Sequence, residues 1–592
     1  MKSMVCMINW DRPEFPRAYV DTAMTEFCCF PWQKTEIAIS EPHICIGGIR
    51  EEGFVDYADE GNRFFALSGK TCGSNPMTAD GNQRDKMLEN SLDGLFNLLV
   101  WDRVEKSLTV LNDCLALRPL YLWRNGSALL ISNMIKAFKW IVPSPTVNMA
   151  GLAETLLKGH PAGNETIINE VELLDARKVR FIREGSQDLE PIEINYPNPT
   201  ESITAGDASQ RFYEVLNASA STWFVDVPRA GVALSGGFDS RLALGVALQH
   251  IPDVGALSFG DDRLDEVRSS MKIASKIGVP HHHCQIDGES QVSLDALQDY
   301  VWGSEALGEL NGPWWSPLWS GFLHQFAHPV ITGYLNDVLI GGHLHMWGVP
   351  AERMGADADS EARTVALSGP GGTTIKSDEA SLYASYCSQE MQYWLERGAV
   401  DHFEDVFRRL PGAKAYQRIL SFDLLQRQRR YISWYPNYWG LTSKVLNPFY
   451  SRAYIDFFTS LSESDLIHRN LAKRCLRQHF SRLAKLPEAG SGRMLAPAGG
   501  LESILDKMRR NRLTESLFPW TRKKGWALEY NRIVQRHAHF ICDALCADDV
   551  LGEKIRTDKI ARDIKQDVIS ADSIFVKRLF NIQLFLKRFF GK

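Results

Sequence analysis

The chain has 592 residues, of which 44% are hydrophobic and 23% are charged, and its net charge is -6 at pH 7. A chain of this length exceeds what one compact core can bury, so we expect two or more domains of globular composition. The small negative charge gives no general attraction to nucleic acid or to anionic membranes, which argues against both classes of partner.

The N-terminus contains no long apolar stretch, and the charged residues Asp11, Arg12 and Glu14 follow soon after it. We find neither a signal-peptide pattern nor a run long enough to span a bilayer, and we therefore expect a cytoplasmic location. The 11 cysteines are scattered and odd in number, which is typical of reduced thiols. Cys542 and Cys546 stand at helical spacing without a second Cys/His pair nearby, so we expect no zinc site.

Short β-prone runs separated by turns fill the first part of the chain, to about residue 141. Examples are residues 36–39, 43–46 and 98–101. Hairpins and a largely antiparallel arrangement of sheets are the natural interpretation of this pattern. Residues 196–200, Tyr-Pro-Asn-Pro-Thr, have the composition of a linker, and we place a domain boundary there.

Strands and helices alternate beyond the linker. In chain order, the pattern predicts a strand at 231–234, a helix at 241–250, a strand at 254–259, a helix at 266–277 and a strand at 281–286. This alternation predicts a doubly wound parallel sheet. From about residue 380 the chain is predicted to be mostly helical. Its basic tail, 501–592, is either a docking surface or, more commonly for such charge, a solvated helical face.

The segment Ser235-Gly236-Gly237-Phe238-Asp239-Ser240 joins the first of these strands to the first helix. The two glycines let the backbone approach a phosphate closely, and the N-terminus of a helix favours an anion. Ser235 and Ser240 add hydroxyl donors, and Asp239 can hold Mg²⁺ against phosphate oxygens. We predict a phosphate-binding loop, because the flanking strand and helix supply the context that a lone Gly-Gly turn lacks.

Two further segments carry residues of the same kind. Ser258-Phe259-Gly260 closes the second predicted strand, and Gly333-Tyr334-Leu335-Asn336-Asp337 follows a short apolar run and precedes Gly341-Gly342. Asp239 and Asp337 would then approach Mg²⁺ from separate loops. That arrangement suits an ion that takes few protein carboxylates and otherwise binds phosphate oxygens and water.

These segments resemble those of the N-type ATP pyrophosphatases, and their spacing resembles that of the asparagine synthetase superfamily. The first loop is unlike a Walker A loop, because no Gly-Lys-Ser/Thr follows it. The resemblance implies that ATP is cleaved between its α and β phosphates, which gives an adenylate and pyrophosphate. It implies that Asp239 and Asp337 bind Mg²⁺. The residues that it implies for nucleotide binding are Ser235, Gly236, Gly237, Asp239, Ser240, Ser258, Phe259, Gly260 and Gly333.

The first domain resembles the class II glutaminase domain, through residues 92–96, 112–113, 118–121 and 130–133. A working glutaminase of this class needs a cysteine directly after the initiator methionine, where its free amine acts as base for its own thiol. Here Lys2 occupies that position, and Cys6 lies inside the chain. The usual Asn-Gly-Glu stretch is not recognisable either. We therefore predict that this domain does not hydrolyse glutamine.

Tyr334 distinguishes the branches of the superfamily. Asparagine synthetases place a Glu there, whereas β-lactam synthetases place a Tyr that deprotonates the attacking amine together with a Glu. The position for that Glu falls near Ile432, which is no carboxylate, so Tyr334 is either the general base or a packing residue. A second departure concerns an Arg-x-Lys element: Leu486-Pro487 is followed by Arg493 without the Lys, so Arg493 is our candidate for the positive charge on pyrophosphate.

A lost glutaminase beside a preserved adenylation site indicates an amine that the substrate itself brings, as in β-lactam synthetases and lasso peptide cyclases. We expect an ATP- and Mg²⁺-dependent carbon–nitrogen ligase acting on a peptide or small-molecule carboxylate. We favour lasso peptide macrolactam cyclisation, with a precursor-peptide protease and a peptide-recognition protein as the partners implied. The alternatives are an asparagine synthetase-like amidotransferase using free ammonia or a sugar amine, and a degenerate nucleotide-binding protein.

The expected organisation is α/β in three parts. Residues 1–199 form a degenerate glutaminase-like antiparallel β-sandwich, 200–500 a doubly wound ATP-pyrophosphatase domain, and 501–592 a helical extension. The aromatic segments 311–315 and 434–439 are placed near the expected substrate pocket, where they either cradle a peptide or pack in the core.

Overall fold

A computed structural model describes residues 2–50, 56–73, 75–89, 92–141, 143–191, 194, 196, 205–287, 292–307, 312–370, 374–375, 377–486, 532–546 and 550–591. Among these residues, no helix is long and apolar enough to cross a membrane. The N-terminal part, up to residue 191, forms two antiparallel sheets, and the middle of the chain forms one parallel sheet. The predicted mixed α/β class is confirmed.

The antiparallel strands of the N-terminal part are β1 (Ser3–Asn9), β2 (Thr35–Glu41), β3 (Ile44–Ile49), β4 (Tyr57–Asp59), β5 (Arg63–Thr71), β6 (Gly94–Asp102), β7 (Ser107–Asn112), β8 (Tyr121–Asn125), β9 (Ala128–Ser132), β10 (Glu172–Leu173), β11 (Arg177–Ile182) and β12 (Gly185–Pro191). One sheet has the strand order β10-β8-β9-β1-β3-β2, and the other β12-β11-β7-β6-β5-β4. The runs predicted from the sequence lie in β2, β3 and β6. The sheets continue beyond residue 141 through β10, β11 and β12, which the sequence did not predict. β10 has two residues, and β11 alternates only briefly, with Val179 and Phe181 buried.

The two sheets pack face to face around a shared core, and helices cover the outer faces. Met4 and Cys6 of β1 face this core together with Leu99 of β6. The intervening residues Val5 and Met7 belong to a larger core on the opposite face of β1. The helices of this part are α1 (Phe15–Met24), α2 (Gly81–Glu89) and α3 (Met149–Lys158). β1 is therefore buried on both faces, which explains its continuous apolar sequence.

The parallel sheet has five described strands, in the order β15-β14-β13-β16-β17. They are β13 (Arg229–Ala233), β14 (Asp253–Gly260), β15 (His281–Gln285), β16 (Val330–Ile331) and β17 (Val445–Leu446). The sequence did not predict β17, because two residues carry no recognisable period. The chain builds the sheet outward from β13 on one side and then returns to add β16 on the other. Ligands in such sheets bind at the carboxyl ends of the strands where this reversal occurs.

Helices cover the parallel sheet and continue beyond it: α4 (Ala205–Trp223), α5 (Phe238–His250), α6 (Asp265–Ile277), α7 (Leu294–Ser304), α8 (Ser316–Phe326), α9 (Asn336–Leu339), α10 (Ala362–Leu367), α11 (Ser377–Ala384), α12 (Gln389–Tyr393), α13 (Ala399–Arg409), α14 (Ala415–Phe422), α15 (Trp434–Gly440), α16 (Arg452–Thr459), α17 (Glu463–Leu466), α18 (Asn470–His479) and α19 (Ser481–Ala484). Two segments are π-helical, Trp394–Gly398 and Asp423–Ile432. Short 3₁₀ turns occupy Ile135–Trp140, Gly312–Trp314, Leu344–Met346, Ala351–Arg353, Ala358–Glu361 and Ile467–Arg469.

The described part of the tail contains α20 (Ala538–Cys546), α21 (Thr557–Lys565) and α22 (Ile574–Phe589). α21 presents a solvated charged face, as expected, but α22 does not. Lys577 and Arg578 of α22 are only 5% and 4% exposed, and Arg578 Nη1 donates to the carbonyl of Leu156 in α3 at 2.8 Å. The prediction of a solvated face is thus wrong for α22, because its charges satisfy buried acceptors while its apolar residues fill the core.

The N-terminal part is joined to the parallel-sheet part by buried hydrogen bonds centred on Asp113. Its carboxylate accepts hydrogen bonds from the backbone N–H groups of Leu117 (2.8 Å) and Arg118 (3.0 Å) and from the hydroxyl of Tyr450. Nearby, the amide of Asn437 in α15 donates to the carbonyl of Leu117 at 2.9 Å. These bonds fix α15 between the two parts. The linker predicted at 196–200 lies outside the described residues except for Tyr196.

Candidate active site

The predicted phosphate loop lies at the carboxyl end of β13, beside the reversal of strand order. Gly236 has a φ of 76°, a left-handed conformation that favours glycine. α5 begins at Phe238, three residues earlier than predicted, with Gly237 as its N-cap. Asp239 and Ser240 therefore stand in the first turn of the helix, where unpaired backbone N–H groups favour an anion.

Arg241 holds this loop in place, and sequence reasoning missed it. The side chain is fully buried, and its Nε and Nη2 donate to the carbonyl of Gly236 at 3.1 and 2.8 Å. Its Nη1 donates to the carbonyl of Leu483 at 3.0 Å. The Gly236 carbonyl therefore points toward the protein interior. The backbone N–H groups of the loop can then face a phosphate on the opposite side.

The structure places Asp239 next to the short helix that carries Asp337. Asp337 lies in the short helix α9, next to Asn336, whose amide nitrogen donates to Asp239 Oδ1 at 2.7 Å. A Cβ atom on Gly333 would lie 2.9 Å from the Cβ of Asp239, so the glycine allows the two loops to approach. The hydroxyl of Tyr454 donates to Asn336 Oδ1 at 2.7 Å and fixes the bridging amide.

The two carboxylates differ in their electrostatic surroundings. Burial, and after it the charge of Asp337, raises the pKa of Asp239. Burial alone would also raise the pKa of Asp337, but the hydrogen bond with His343 and the charge of Arg469 lower it. Arg469 Nη2 lies 2.6 Å from Asp337 Oδ1, and His343 Nε2 lies 3.2 Å from Asp337 Oδ2. Two carboxylates in close proximity and only partly exposed are typical of a site that a cation completes.

His343 links Asp337 to a second buried carboxylate, Asp423. His343 Nδ1 lies 2.9 Å from Asp423 Oδ2, which also accepts from the indole of Trp347 at 3.0 Å. Burial alone would lower the pKa of His343, but the charge of Asp423 and hydrogen bonds to both carboxylates raise it to about 9. The ring is therefore protonated at neutral pH and donates from both nitrogens. Sequence reasoning missed this network, although His343 directly follows the Gly341-Gly342 pair.

The donor set fits Mg²⁺. Among the described residues, no group of three or more His, Cys, Asp or Glu side chains is arranged to hold a metal. Two carboxylates next to a helix N-terminus are the arrangement expected for an ion bound largely through phosphate oxygens and water. Asp239 and Asp337 are the residues that would hold it.

A cavity of about 290 Å³ opens beside the two loops. The predicted residues that line it are Ser235, Asp239, Ser240, Ser258, Phe259, Gly333 and Tyr334. Gly236 and Gly237 form the adjacent backbone, and Gly260 ends β14 with a φ of 119°. Phe259 stacks on Trp315 with 4.5 Å between ring centroids, so this ring is positioned by the core. Glu266, which also lines the cavity, has a buried Oε2 without a hydrogen-bond partner.

Tyr334 lines the cavity but is not paired with a carboxylate. Its hydroxyl donates to the backbone carbonyl of Gln428 at 2.9 Å. Burial, followed by the charges of Asp113 and Asp423, raises the pKa of this phenol well above its ordinary value. A phenol in these surroundings is a poor base near neutral pH, so the geometry favours the packing role over the base role.

The aromatic segments lie mainly in the core. Trp314 and Trp315 are 2% and 1% exposed. Trp439 of α15 lines the cavity beside the two loops, which we call the nucleotide-side cavity after the residues that the resemblance assigns to the nucleotide. Trp434, at the other end of the same helix, lines a cavity that faces the N-terminal part. Packing in the core thus accounts for Trp314 and Trp315, and the peptide cradle stays a prediction. Asn311 and Arg493 lie outside the described residues, so the expected role of Arg493 stays a prediction.

In the N-terminal part, Arg118 and Asn133 are hydrogen-bonded within the domain and line a cavity of about 80 Å³. Arg118 Nη2 donates to Ser68 Oγ at 2.8 Å and to the carbonyl of Lys2. Asn133 accepts from the backbone N–H of Met4 at 2.7 Å. Cys6 is 1% exposed in the core between the sheets, and burial raises the pKa of its thiol well above 9. A thiol in that state is not a nucleophile.

Comparisons with known proteins agree with this division of the chain. Residues 81–192 match the glutamine amidotransferase domain family, and residues 211–494 match the asparagine synthase family. Proteins of Mycobacterium bovis and of two strains of Mycobacterium tuberculosis, each named "Putative asparagine synthetase" with the qualifier glutamine-hydrolyzing, are 23% identical over 223 residues. The matched region covers 36% of this chain and 34% of the relative, so the chain spans about a third of the length of these relatives.

Two solved structures show weaker similarity. One is described as the allosteric regulatory enzyme of purine biosynthesis (11% identity, 49% of this chain and 67% of that chain covered). The other is a glutamine phosphoribosylpyrophosphate amidotransferase from B. subtilis with ADP and GMP (10% identity, 61% and 77% covered). Both have a TM-score of 0.22, which supports no conclusion about this chain.

Proposed function

Because the chain belongs to the asparagine synthetase superfamily, we propose that it is an ATP-dependent carbon–nitrogen ligase. It activates a carboxylate as an acyl-adenylate and transfers the acyl group to an amine. The observation that carries the proposal is the position of the glycine loop at the reversal of strand order. There Ser235, Asp239 and Ser240 line one cavity, and Asn336 links Asp239 to the short helix that carries Asp337.

In the first step, a carboxylate oxygen of the substrate attacks the α-phosphorus of ATP, and pyrophosphate leaves with the electrons of the broken P–O bond. The loop N–H groups and the N-terminus of α5 bind the phosphates. Asp239 and Asp337 would hold Mg²⁺, which neutralises phosphate charge when bound. In the second step the amine attacks the acyl carbon, loses a proton and displaces AMP.

The amine is proposed to come from the substrate itself, as in lasso peptide macrolactam cyclisation. Two observations support this choice over glutamine-derived ammonia. The thiol of Cys6 is buried with a raised pKa, and Arg118 and Asn133 are engaged with the backbone around Lys2. A precursor-peptide protease and a peptide-recognition protein are proposed as partners on the same ground.

Free ammonia is the second candidate nucleophile, in an asparagine synthetase-like reaction. A cavity of about 80 Å³ lies between the N-terminal part and α15, which is wide enough for a small amine but not for a peptide. Trp434 of α15 lines this cavity, and Trp439 of the same helix lines the nucleotide-side cavity. The two cavities thus share α15 as part of their walls, which supports free ammonia as the second candidate.

The test is pyrophosphate release by the full chain with ATP, Mg²⁺ and one carboxylate at a time. A peptide with an Asp or Glu side chain and a free N-terminal amine should yield a product lighter by one water. Aspartate with ammonium should yield asparagine if the second candidate is right. ATP binding without pyrophosphate release from any carboxylate would support a degenerate nucleotide-binding protein, and glutamate formed from glutamine would contradict the loss of glutaminase chemistry.

A further inference from the structure

Arg469 lies closer to Asp337, one of the two proposed metal-binding carboxylates, than His343 does. Its Nη2 lies 2.6 Å from Asp337 Oδ1, and its side chain is 27% exposed. Its charge also opposes the rise in the pKa of Asp239 that burial causes, so the guanidinium acts on both carboxylates. Nothing in the sequence motifs pointed to this residue, which stands just before α18.

The backbone conformation around Arg469 directs its side chain toward Asp337. His468 and Arg469 both have left-handed backbone conformations, with φ of 59° and 57°. Two successive non-glycine residues in this region are costly and persist only where the surroundings impose them. They turn the chain sharply between α17 and α18.

The pair Gly341-Gly342 gives room for this turn. A Cβ atom on Gly341 would lie 2.4 Å from the carbonyl oxygen of Leu466, and one on Gly342 would lie 2.7 Å from Arg469 Nη2. The Cβ on Gly342 would also lie 2.0 Å from Asp337 Oδ1. The two glycines thus allow the 466–469 segment, and with it the guanidinium, to lie against the loop that carries Asp337.

We infer that Arg469 binds the pyrophosphate portion of ATP, and the pyrophosphate released from it. The inference rests on the proposed function. A phosphate group that shares a metal with Asp337 would lie next to the guanidinium that already contacts Asp337. Guanidinium groups bind phosphate oxygens through paired N–H donors. Arg469 would thereby supply, from a different element, the positive charge that the sequence assigned to Arg493.

The experiment measures binding of inorganic pyrophosphate and of AMP to the full chain by calorimetry in the presence of Mg²⁺. Arg469→Gln should weaken pyrophosphate binding by about tenfold or more, the scale of a lost charge-assisted hydrogen bond. AMP affinity should stay within about twofold, because AMP lacks the β and γ phosphates. Arg469→Lys should fall between, since an ammonium keeps the charge but not the paired donors.

Arg474→Gln is the matched control. Arg474 is 29% exposed, lies in the adjoining helix α18 and pairs with Asp465 at 3.0 Å, away from Asp337. It should bind both ligands like the wild type. Equal loss of pyrophosphate and AMP binding in Arg469→Gln would overturn the inference in favour of a structural role. Unchanged pyrophosphate binding would overturn it outright.

Two further outcomes are separable. If the wild-type chain binds neither ligand, the proposed function fails, and the inference fails with it. If Arg469→Gln does not fold, Arg469→Lys decides: weaker pyrophosphate binding with AMP binding retained supports the inference, and parallel changes in both overturn it.

Discussion

The two halves of the protein treat their polar residues in opposite ways. In the N-terminal part, Arg118 and Asn133 form hydrogen bonds with backbone and hydroxyl groups of the same domain. At the edge of the parallel sheet, Ser235 is exposed. The pKa of Asp239 is raised there by burial and by the charge of the neighbouring Asp337. The polar groups of the first region satisfy one another. The second region keeps two carboxylates close together even though Arg469 and His343 pair with one of them, which marks it as the candidate functional site.

This contrast suits a structural role for the N-terminal part, whose loss of glutaminase chemistry stays a prediction. β1 is buried on both faces, and Asp113 joins the N-terminal part to Tyr450 and α15. Removing the N-terminal part would therefore expose two cores and the helix that borders the nucleotide-side cavity. The following predictions test whether the two halves divide into scaffold and site in this way.

The largest expected effect comes from Asp239→Asn, which removes one proposed metal-binding charge without changing side-chain size. Pyrophosphate release should fall by about a hundredfold or more, with thermal stability close to that of the wild type. Asp253→Asn is the control, because Asp253 is half exposed at the opposite end of the same sheet. Release at the wild-type rate in Asp239→Asn would show that the chemistry lies elsewhere.

Asp113→Ala should cost about 3 kcal/mol of unfolding free energy or more, because it leaves several buried donors without an acceptor. The donors include the backbone N–H groups of Leu117 and Arg118 and the hydroxyl of Tyr450. Denaturant unfolding measures the change. Asp102→Ala, which removes an acceptor at an exposed turn, should cost less than about 1 kcal/mol. Equal costs for the two variants would argue against the scaffold role.

His343→Gln should change how stability depends on pH. Folding raises the pKa of His343 from 6.5 to about 9. The stability that its protonated form contributes is therefore complete below about pH 6.5 and is lost as the pH rises through about 9. In thermal melts, the gap between wild type and variant should shrink between about pH 6 and about pH 9.5. A constant gap would mean that the ring does not titrate there.

Tyr334→Phe tests the remaining disagreement between sequence and geometry. Loss of the hydrogen bond to Gln428 should cost about 1 kcal/mol of stability and less than about tenfold in the rate of amide formation. Tyr213→Phe, which removes a hydroxyl on the surface of α4, is the control. A fall of about a hundredfold with unchanged ATP binding would instead support a general base.

Cys6→Ala should have the smallest effect. Pyrophosphate release should be unchanged, and neither wild type nor variant should form glutamate from glutamine, because the thiol is buried and protonated. Cys45→Ala, at a buried position in the adjoining strand, should behave alike. Glutamate formed by the wild type and lost only in Cys6→Ala would show that the N-terminal part is itself a catalytic site.

Much of the fold was predictable, because strands β13 to β15 and the helices between them carry strong local signals. The glycine loop and the loop before Asp337 were predictable because each follows a strand. Asp423 and Arg469 were not, since both are far from those loops in sequence and reach the site only through packing. His343 stands close to Asp337 in sequence, but its link to Asp423 also forms only through packing. The two-residue strand β17 was missed for the same reason: pairing with β16, rather than local pattern, makes it a strand.

The position of α22 has a consequence for the way the protein is made. Arg578 and its acceptor Leu156 are 422 residues apart in the chain. At a synthesis rate of about 5–20 residues per second, the face of α3 that α22 covers emerges from the ribosome roughly 20 to 80 seconds before its cover. During that interval the face of α3 that α22 covers stays open, and the final packing of α3 waits for the last helix.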